Sequence, residues 1–177
     1  MPHDAYVRLV GGETEGIRAR AGGRSIEVED GSYFCRVVWD DFRAPETWLR
    51  DMSRDLETEV LWLVMQKQTD AFAFQHWLSG DLKRRLTYGV ESEERTWEEV
   101  EGAPEPWEAE VLFSAKRLDQ KLKVLQVIDV PDRDNAAAAL RRIWADKRIE
   151  IGSSEPTVSA ASAGPAVARY YQLPGWK

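Results

Sequence analysis

The chain has 177 residues, a formal net charge of −7, and a composition that is 43% hydrophobic and 31% charged. This composition predicts one soluble globular domain with its own core, and no apolar run approaches the ~18 residues of a membrane-spanning helix. The first residues carry no basic, apolar leader, and the single cysteine, Cys35, cannot form an internal disulfide. We therefore expect a cytoplasmic protein.

Short strands joined by glycine-rich turns are predicted for the first forty residues, because apolar and polar residues alternate there. The predicted strands cover residues 6–10, 17–20, 24–30 and 32–39. Together they predict an antiparallel meander. Pro45 then opens a helix that reaches Thr58, since proline is tolerated in a first helical turn and an apolar stripe follows. The stripe consists of Trp48, Leu49, Met52 and Leu56.

Residues 59–90 carry the strongest strand signal in the chain. Residues 59–67 are apolar on both faces, which predicts a central strand covered on each side. In the hairpin that follows, a two-residue loop at Gly80 and Asp81 would mix apolar and polar side chains on each face. We therefore predict a three-residue loop over residues 79–81, with His76 opposite Arg84. One face then collects Phe72, Phe74, His76, Leu78, Leu82, Arg84, Leu86, Tyr88 and Val90.

The most acidic part of the chain is residues 91–110, which hold nine glutamates and one arginine. We expect a short strand or turn at residues 96–100, followed by an extended, proline-containing loop that Trp107 attaches to the core. One interpretation is a solvated acidic edge. The other is a surface that captures a basic partner, because complementary charge speeds and orients encounter. That surface would consist of Trp97, Glu98, Glu99, Glu101, Glu105, Trp107 and Glu108.

The run DAFAFQHWLSGDLKRRLTYG followed by ERTWEEVEGAPEPWE resembles a pattern of small uncharacterised bacterial proteins. In that pattern a strand pair precedes a W…VEG-P-PWE segment. The likeness covers roughly residues 61–113 and extends to the closing LPGW at residues 173–176. The resemblance implies a shared fold and a bacterial source, and it carries no activity and no catalytic residue.

Two helices are predicted between residues 111 and 148. The first begins at Val111 and reaches about Gln120, after which LKVLQVIDV fits either more helix or a strand that ends at Pro131. The second opens at residues 132–134, with Asp134 or Asn135 as its cap. Residues 116–148 hold nine Lys and Arg against five Asp. Solvated helix faces account for this charge, and nucleic-acid binding is the weaker alternative in an acidic chain.

The C-terminal part predicts a division of the chain. Residues 1–150 form the predicted domain, residues 151–164 a flexible connector rich in Ser and Ala, and residues 165–177 a short helix and tail that Pro165 opens. Three aromatic residues, Tyr170, Tyr171 and Trp176, give this tail an apolar surface. It would dock either on its own domain or on another chain.

Candidate catalytic residues are few. His76 is either a core histidine or a general acid–base in a pocket with Arg84 and Tyr88. The glycine pairs lack the spacing of a phosphate-binding loop, and no serine stands in a nucleophile elbow. The chain has two His and one Cys, too few for the usual metal sites. We expect no cofactor and no metal.

These observations predict an α+β fold with an antiparallel sheet of about five to seven strands, helices on its faces and a docked C-terminal tail. The leading functional hypothesis is a non-enzymatic interaction protein of the immunity, inhibitor or adaptor type, whose acidic loop binds a protein with a basic surface. The alternative is a small-molecule-binding or hydrolytic protein with its pocket near His76.

Overall fold

The computed structural model describes residues 3–92 and 94–176, and it confirms the α+β class. The strands are β1 (His3–Arg8), β2 (Ile26–Val28), β3 (Phe34–Val38), β4 (Glu59–Gln66), β5 (Ala71–Leu78), β6 (Asp81–Tyr88) and β7 (Trp97–Gly102). The helices are α1 (Glu15–Arg20), α2 (Glu46–Asp55), α3 (Pro106–Val111), α4 (Ala115–Val127), α5 (Arg133–Asp146) and α6 (Ala160–Tyr171).

The seven strands form one antiparallel sheet in the order β2-β3-β1-β4-β5-β6-β7. β4 lies at the centre, as its two apolar faces predicted, with Trp62 in one core and Leu63 in the other. The predicted N-terminal meander is wrong in two respects. β3 pairs with β1 as well as with β2, and residues 17–20 belong to α1. Glu15 in the first turn and Arg18 and Arg20 in the last turn suit the helix dipole of α1.

The β5–β6 hairpin has a two-residue loop, not the predicted three-residue loop. Its loop residues, Ser79 and Gly80, both have positive φ, as a tight hairpin turn requires. A bulge between His76 and Trp77 then shifts the register by one residue. Beyond the bulge the predicted pairs are confirmed, with His76 opposite Arg84, Phe74 opposite Leu86 and Phe72 opposite Tyr88. Before the bulge, Leu82 packs on the opposite face of the sheet from the one predicted.

The sheet has a hydrophobic core on each face. α1 and α2 cover one face, and Leu49 and Met52 of α2 are buried there, as the stripe predicted. α3 and α6 cover the other face, where the α4–α5 hairpin adds Trp144. α2 ends at Asp55, three residues before the predicted end. The central strands of the sheet, β1, β4 and β5, are therefore covered on both faces.

The helices after β7 differ from the prediction in three places. Trp107 lies in α3, where an extended loop was expected. α3 and α4 are separate helices, and α4 continues to Val127, which settles the helix-or-strand alternative. The cap of α5 is Asp132, whose carboxylate accepts from the backbone N–H of Asn135 at 3.0 Å. Asp132 precedes both predicted caps and satisfies one of the free N–H groups of the first turn.

The predicted connector is part of the packed structure. α6 begins at Ala160, so Pro165 lies inside the helix and does not open it. The small residues of this segment allow α6 to approach β4 closely: a Cβ at Gly164 would lie 1.5 Å from the Met65 sulfur. The predicted docking of the tail had left open its own domain or another chain; the tail docks on its own domain, where Trp176 donates to the Tyr6 hydroxyl at 2.8 Å. The small residues of this segment allow close packing. Their abundance had suggested a flexible connector, because composition alone does not distinguish the two.

Candidate functional site

His76 lies where four elements of the fold meet. Its Nδ1 is 2.5 Å from Glu105 Oε1, just before α3. Its Nε2 is 2.8 Å from Oε1 of Glu59, the first residue of β4, in an ion-pair contact that does not have hydrogen-bond geometry. Tyr171, at the end of α6, and Trp107 both donate to Glu105 Oε2, at 2.5 and 2.8 Å. We call His76, Glu59, Glu105 and Tyr171 the histidine cluster.

The charges of the histidine cluster are balanced when Arg8, which contacts Glu59, is included. Burial lowers the pKa of His76, but the hydrogen bond and charge of Glu105 and the contact with Glu59 outweigh it and raise the pKa to about 9. Burial and the adjacent Glu105 carboxylate raise the pKa of Tyr171 well above its usual value. Arg8 also contacts Glu59, at 3.1 Å. At neutral pH the imidazole is therefore a cation between two carboxylates and is not available as a general base.

Next to His76 on the same sheet face, Arg84 forms a buried ion pair with Glu108. The side chains are 2% and 0% exposed, and two parallel N–H···O contacts of 2.8 and 2.7 Å join them. Arg84 also donates to the Gly102 carbonyl at 2.6 Å. Gly102 has a positive φ, and a Cβ there would lie 2.0 Å from the Lys83 carbonyl. The glycine thus lets the chain turn closely past β6, which positions α3 and its Glu108.

The alternative pocket of His76, Arg84 and Tyr88 does not form as one group. His76 and Arg84 are cross-strand neighbours, as predicted, but each is occupied by its own carboxylate. Tyr88 stands at the far end of β6 and packs against Trp97, with ring centroids 5.0 Å apart. Five surface cavities of about 420 to 660 Å³ have none of these three residues in their lining. The arrangement links α3 and α6 to the sheet, and a ligand site at His76 stays a prediction.

Most of the seven predicted partner-binding residues face inward. Trp97 and Trp107 are buried, and so is Glu108; Glu105 belongs to the histidine cluster. Glu98 accepts from the backbone N–H groups of residues 90, 91 and 92 at 2.9 to 3.1 Å, and so fixes the β6–β7 loop. Glu99 and Glu101 remain, with 44% and 54% of their side chains exposed. They do not lie with the tryptophans but project from the α2 side of β7.

Glu99 borders a cavity of about 600 Å³ on the α2 side of the sheet. The cavity lies between the loop that precedes α2, the first residue of α2, and strands β4 to β7. Four carboxylates line it, from Asp41, Glu46, Glu91 and Glu99, and Arg43 is the one cation among its described lining residues. We call this cavity, with those four carboxylates, the acidic groove.

The floor of the acidic groove follows from strand pairing. Trp62 faces Gln75, and Ala73 faces Thr87, in adjacent rows of the sheet. Ala73 is small, so it leaves depth between its larger neighbours. Thr87 donates to Glu99 at 2.6 Å, which fixes that carboxylate at the rim. Trp62 is fully buried, and its Nε1 has no hydrogen-bond partner within the described part of the chain.

The sequence reasoning missed most residues of both sites. Asp41 and Glu46 precede Glu99 by more than fifty residues, and an acidic residue in the first turn of α2 is already explained by the helix dipole. Glu59 offered a usable signal, because an antiparallel β4–β5 pair puts it diagonal to His76. Tyr171 offered none, since its helix had no predicted docking position. Only the assembled strand order brings these residues together.

Among residues 3–92 and 94–176, no group of three or more His, Cys, Asp or Glu side chains is arranged to hold a metal ion. None of the helices in those ranges is long and apolar enough to cross a bilayer. Comparison with known proteins finds no matching family model, curated sequence or solved structure.

Proposed function

We propose that this chain is a non-enzymatic interaction protein, of the adaptor, inhibitor or immunity type, which binds a basic segment of another protein in the acidic groove. The observation that carries the proposal is the charge of the groove: four carboxylates line it with one arginine. The acids of the histidine cluster and of the Arg84–Glu108 pair, in contrast, are neutralised within the protein.

Two of the rim carboxylates of the acidic groove, Asp41 and Glu91, keep their charge free for a partner, whereas Glu46 and Glu99 contact Arg85 at 2.8 and 3.9 Å. Glu91 forms no ion pair among the described residues, and Asp41 accepts only the backbone N–H of Arg43 at 3.0 Å. Uncompensated carboxylates around a concave surface produce a negative potential that attracts and orients cations. Phe42, which lines the same groove and is 41% exposed, supplies an aromatic face for the stem or charge of a Lys or Arg side chain.

The spread of these charges favours a peptide segment over a single small cation. Asp41 and Glu46 lie on one side of the groove, before and at the start of α2, whereas Glu91 and Glu99 belong to the β6–β7 side. One cation does not reach all four carboxylates, but several Lys or Arg residues along one chain do. We place this partner in the cytoplasm, where a free thiol such as that of Cys35 persists.

The proposal is tested by fluorescence anisotropy with a labelled peptide of alternating Lys and Ala, and with the same peptide carrying Glu in place of Lys. The protein should bind the basic peptide saturably and the acidic peptide not at all. The double variant Asp41→Lys/Glu91→Lys should weaken binding by about tenfold or more, because both carboxylates contribute to the field of the groove. Both residues are exposed, so its melting temperature should be unchanged.

The matched control is Asp119→Lys/Asp129→Lys, which makes the same charge change at two exposed positions on the other side of the sheet. It should keep the affinity for the basic peptide within about twofold. An equal loss of binding in this control would mean that only net charge matters. That result, or no saturable binding by the unmodified protein, would overturn the proposal.

A further inference from the structure

A second charged cavity lies on the opposite face of the sheet, between α3, the start of α4, and α6. Its volume is about 660 Å³. Three cations line it, Lys116, Arg117 and Arg169, with Glu110 as the one carboxylate among its described lining residues. We call it the basic cavity. A cavity whose charged lining residues are mostly cations stands out in a chain whose net charge is −7.

The cations of the basic cavity have no acidic partners of their own. None of Lys116, Arg117 and Arg169 forms an ion pair with any residue that the structure describes. Lys116 and Arg169 are exposed, but Arg117 is half-buried, and the other half-buried cations of the described chain all contact a carboxylate: Lys121, for example, contacts Glu155 at 2.6 Å. Positive charge that no internal carboxylate balances is suited to an anion from outside.

Arg117 is the most firmly placed of the three cations. Its guanidinium donates to the carbonyls of Val111 and Thr157, which fixes its position between α3 and the segment before α6. Burial lowers the pKa of Arg117, because its charge is poorly solvated there. A bound anion would replace the missing solvation. The side chain is therefore both preorganised and in need of a counter-charge.

Hydroxyl donors stand beside these cations. Ser159 occupies the N-cap position of α6, yet its side chain makes no capping hydrogen bond. Ser162 lies one turn further along and also lines the cavity. Both hydroxyls are free to donate to an oxygen of a ligand. The positive ends of α4 and α6 border the same cavity and add to the charge of the three side chains.

Most of the remaining wall of the basic cavity is apolar. Trp107, Val111 and Ala166 line it, and Tyr170 contributes a ring that is 48% exposed. We infer that the basic cavity binds a small organic phosphate: the cations and serine hydroxyls hold the phosphate group, and the apolar wall holds the organic part. A phosphate dianion matches the net charge of the lining, and its several oxygens match the number of donors.

The inference is tested by titrating the isotope-labelled protein with phenyl phosphate and with inorganic phosphate, followed by NMR. Both should shift the amide signals of residues 114–117 and 159–162. Phenyl phosphate should bind about fivefold or more tightly than inorganic phosphate, because only it fills the apolar wall. Equal affinities would overturn the organic part of the assignment. Absence of saturable shifts with either probe would overturn the site itself.

Variants separate the site from general electrostatics. Lys116→Glu/Arg169→Glu should weaken phenyl phosphate binding by about tenfold or more, whereas Arg141→Glu/Arg142→Glu, an equal charge change on α5, should leave it within about twofold. Ser159→Ala/Ser162→Ala changes no charge and removes no capping bond, and it should weaken binding by about threefold to tenfold. Unchanged binding in both cavity variants, or an equal loss in the α5 control, would contradict the inference.

Discussion

Gly102 divides the acidic stretch of residues 91–110 into two regions, and the glutamates of the two regions lie in opposite environments. Before the glycine, Glu91, Glu99 and Glu101 face solvent on the α2 side of the sheet. After it, Glu105 and Glu108 are covered by α3 and α6 on the other side, and cations of the β5–β6 hairpin neutralise them. Glutamate therefore serves packing in one region, whereas in the other Glu99 and Glu101 share Arg85 at the surface and Glu91 has no cation partner among the described residues.

These two environments show that a cluster of charged residues in a sequence does not by itself identify a charged surface. A carboxylate can be buried only where a cation and hydrogen-bond donors already stand. The pairing of His76 with Arg84 puts two such cations side by side on one face, and the chain returns to them after Gly102. Near the rim of the acidic groove Arg85 contacts Glu46, Glu99 and Glu101, whereas Asp41 and Glu91 form no ion pair within the described part of the chain. The two regions have the same acidic composition, and they differ in how fully nearby cations neutralise their carboxylates.

The largest effect is expected at the buried pair. Arg84→Ala should lower the free energy of unfolding by about 3–5 kcal/mol, because it leaves the fully buried Glu108 carboxylate without its partner. Arg85→Ala is the matched control, since its partners Glu46 and Glu101 are about half exposed, and it should cost about 1 kcal/mol or less. Urea denaturation measures both. An equal loss in the free energy of unfolding for both variants would contradict the distinction between buried and exposed carboxylates.

The histidine cluster should make stability depend on pH. The pKa of His76 rises from 6.5 to about 9 on folding, so the folded state holds the proton more tightly. Its stabilisation is fully present below pH 6.5 and is lost as the pH rises through about 9, with a maximum of about 3 kcal/mol. The measurement is the free energy of unfolding between about pH 6 and pH 9.5.

The control for this pH dependence is His76→Gln, which keeps a polar side chain without a titrating group. The stability of this variant should fall less steeply over the same range, so that its curve approaches that of the unmodified protein at high pH. Parallel curves would show that His76 does not titrate between its two carboxylates as described.

A smaller effect is expected at Glu98, which connects the two regions. Glu98→Ala removes the acceptor of three backbone N–H groups in the β6–β7 loop and should cost about 1–2 kcal/mol. Hydrogen exchange at residues 90–92 should become faster. Glu99→Ala, one residue along the strand, loses contacts to Thr87 and Arg85 and none to the loop, so it should leave that exchange unchanged. Equal exchange in both variants would contradict the role given to Glu98.

Much of the sheet could be predicted from the sequence, because strand signals are local. The alternation of apolar and polar residues placed β4, β5 and β6. The requirement that apolar residues share one face of the hairpin paired His76 with Arg84 correctly, even though the predicted loop length was wrong. The error at residues 151–164 had another origin. Small residues there allow Gly164 to pass Met65, but that contact joins parts of the chain that are about one hundred residues apart. Composition alone does not distinguish close packing from flexibility.

The candidate site was less predictable, because it depends on which distant elements share a face. Glu99 was identified from the sequence, but the groove also needs Asp41 and Glu46, which the order of β4 to β7 brings opposite it. Trp97 and Trp107 were expected to frame an exposed surface, and both are buried. Large aromatic residues next to charge are as suited to a core as to an interface. Whether such a residue belongs to the core or to an interface is known only from its burial in the folded structure.

The most direct measurement is an NMR titration of the labelled protein with the Lys/Ala peptide, following assigned amide signals and the indole N–H of Trp62 beneath the groove. If the peptide binds in the acidic groove, shifts should be confined to residues 41–46, 87–91 and 99 and to the Trp62 indole. Signals of Lys116, Arg169 and Tyr170, across the sheet, should not move. Shifts centred on the opposite face, or spread evenly over the surface, would contradict the acidic groove as the binding site.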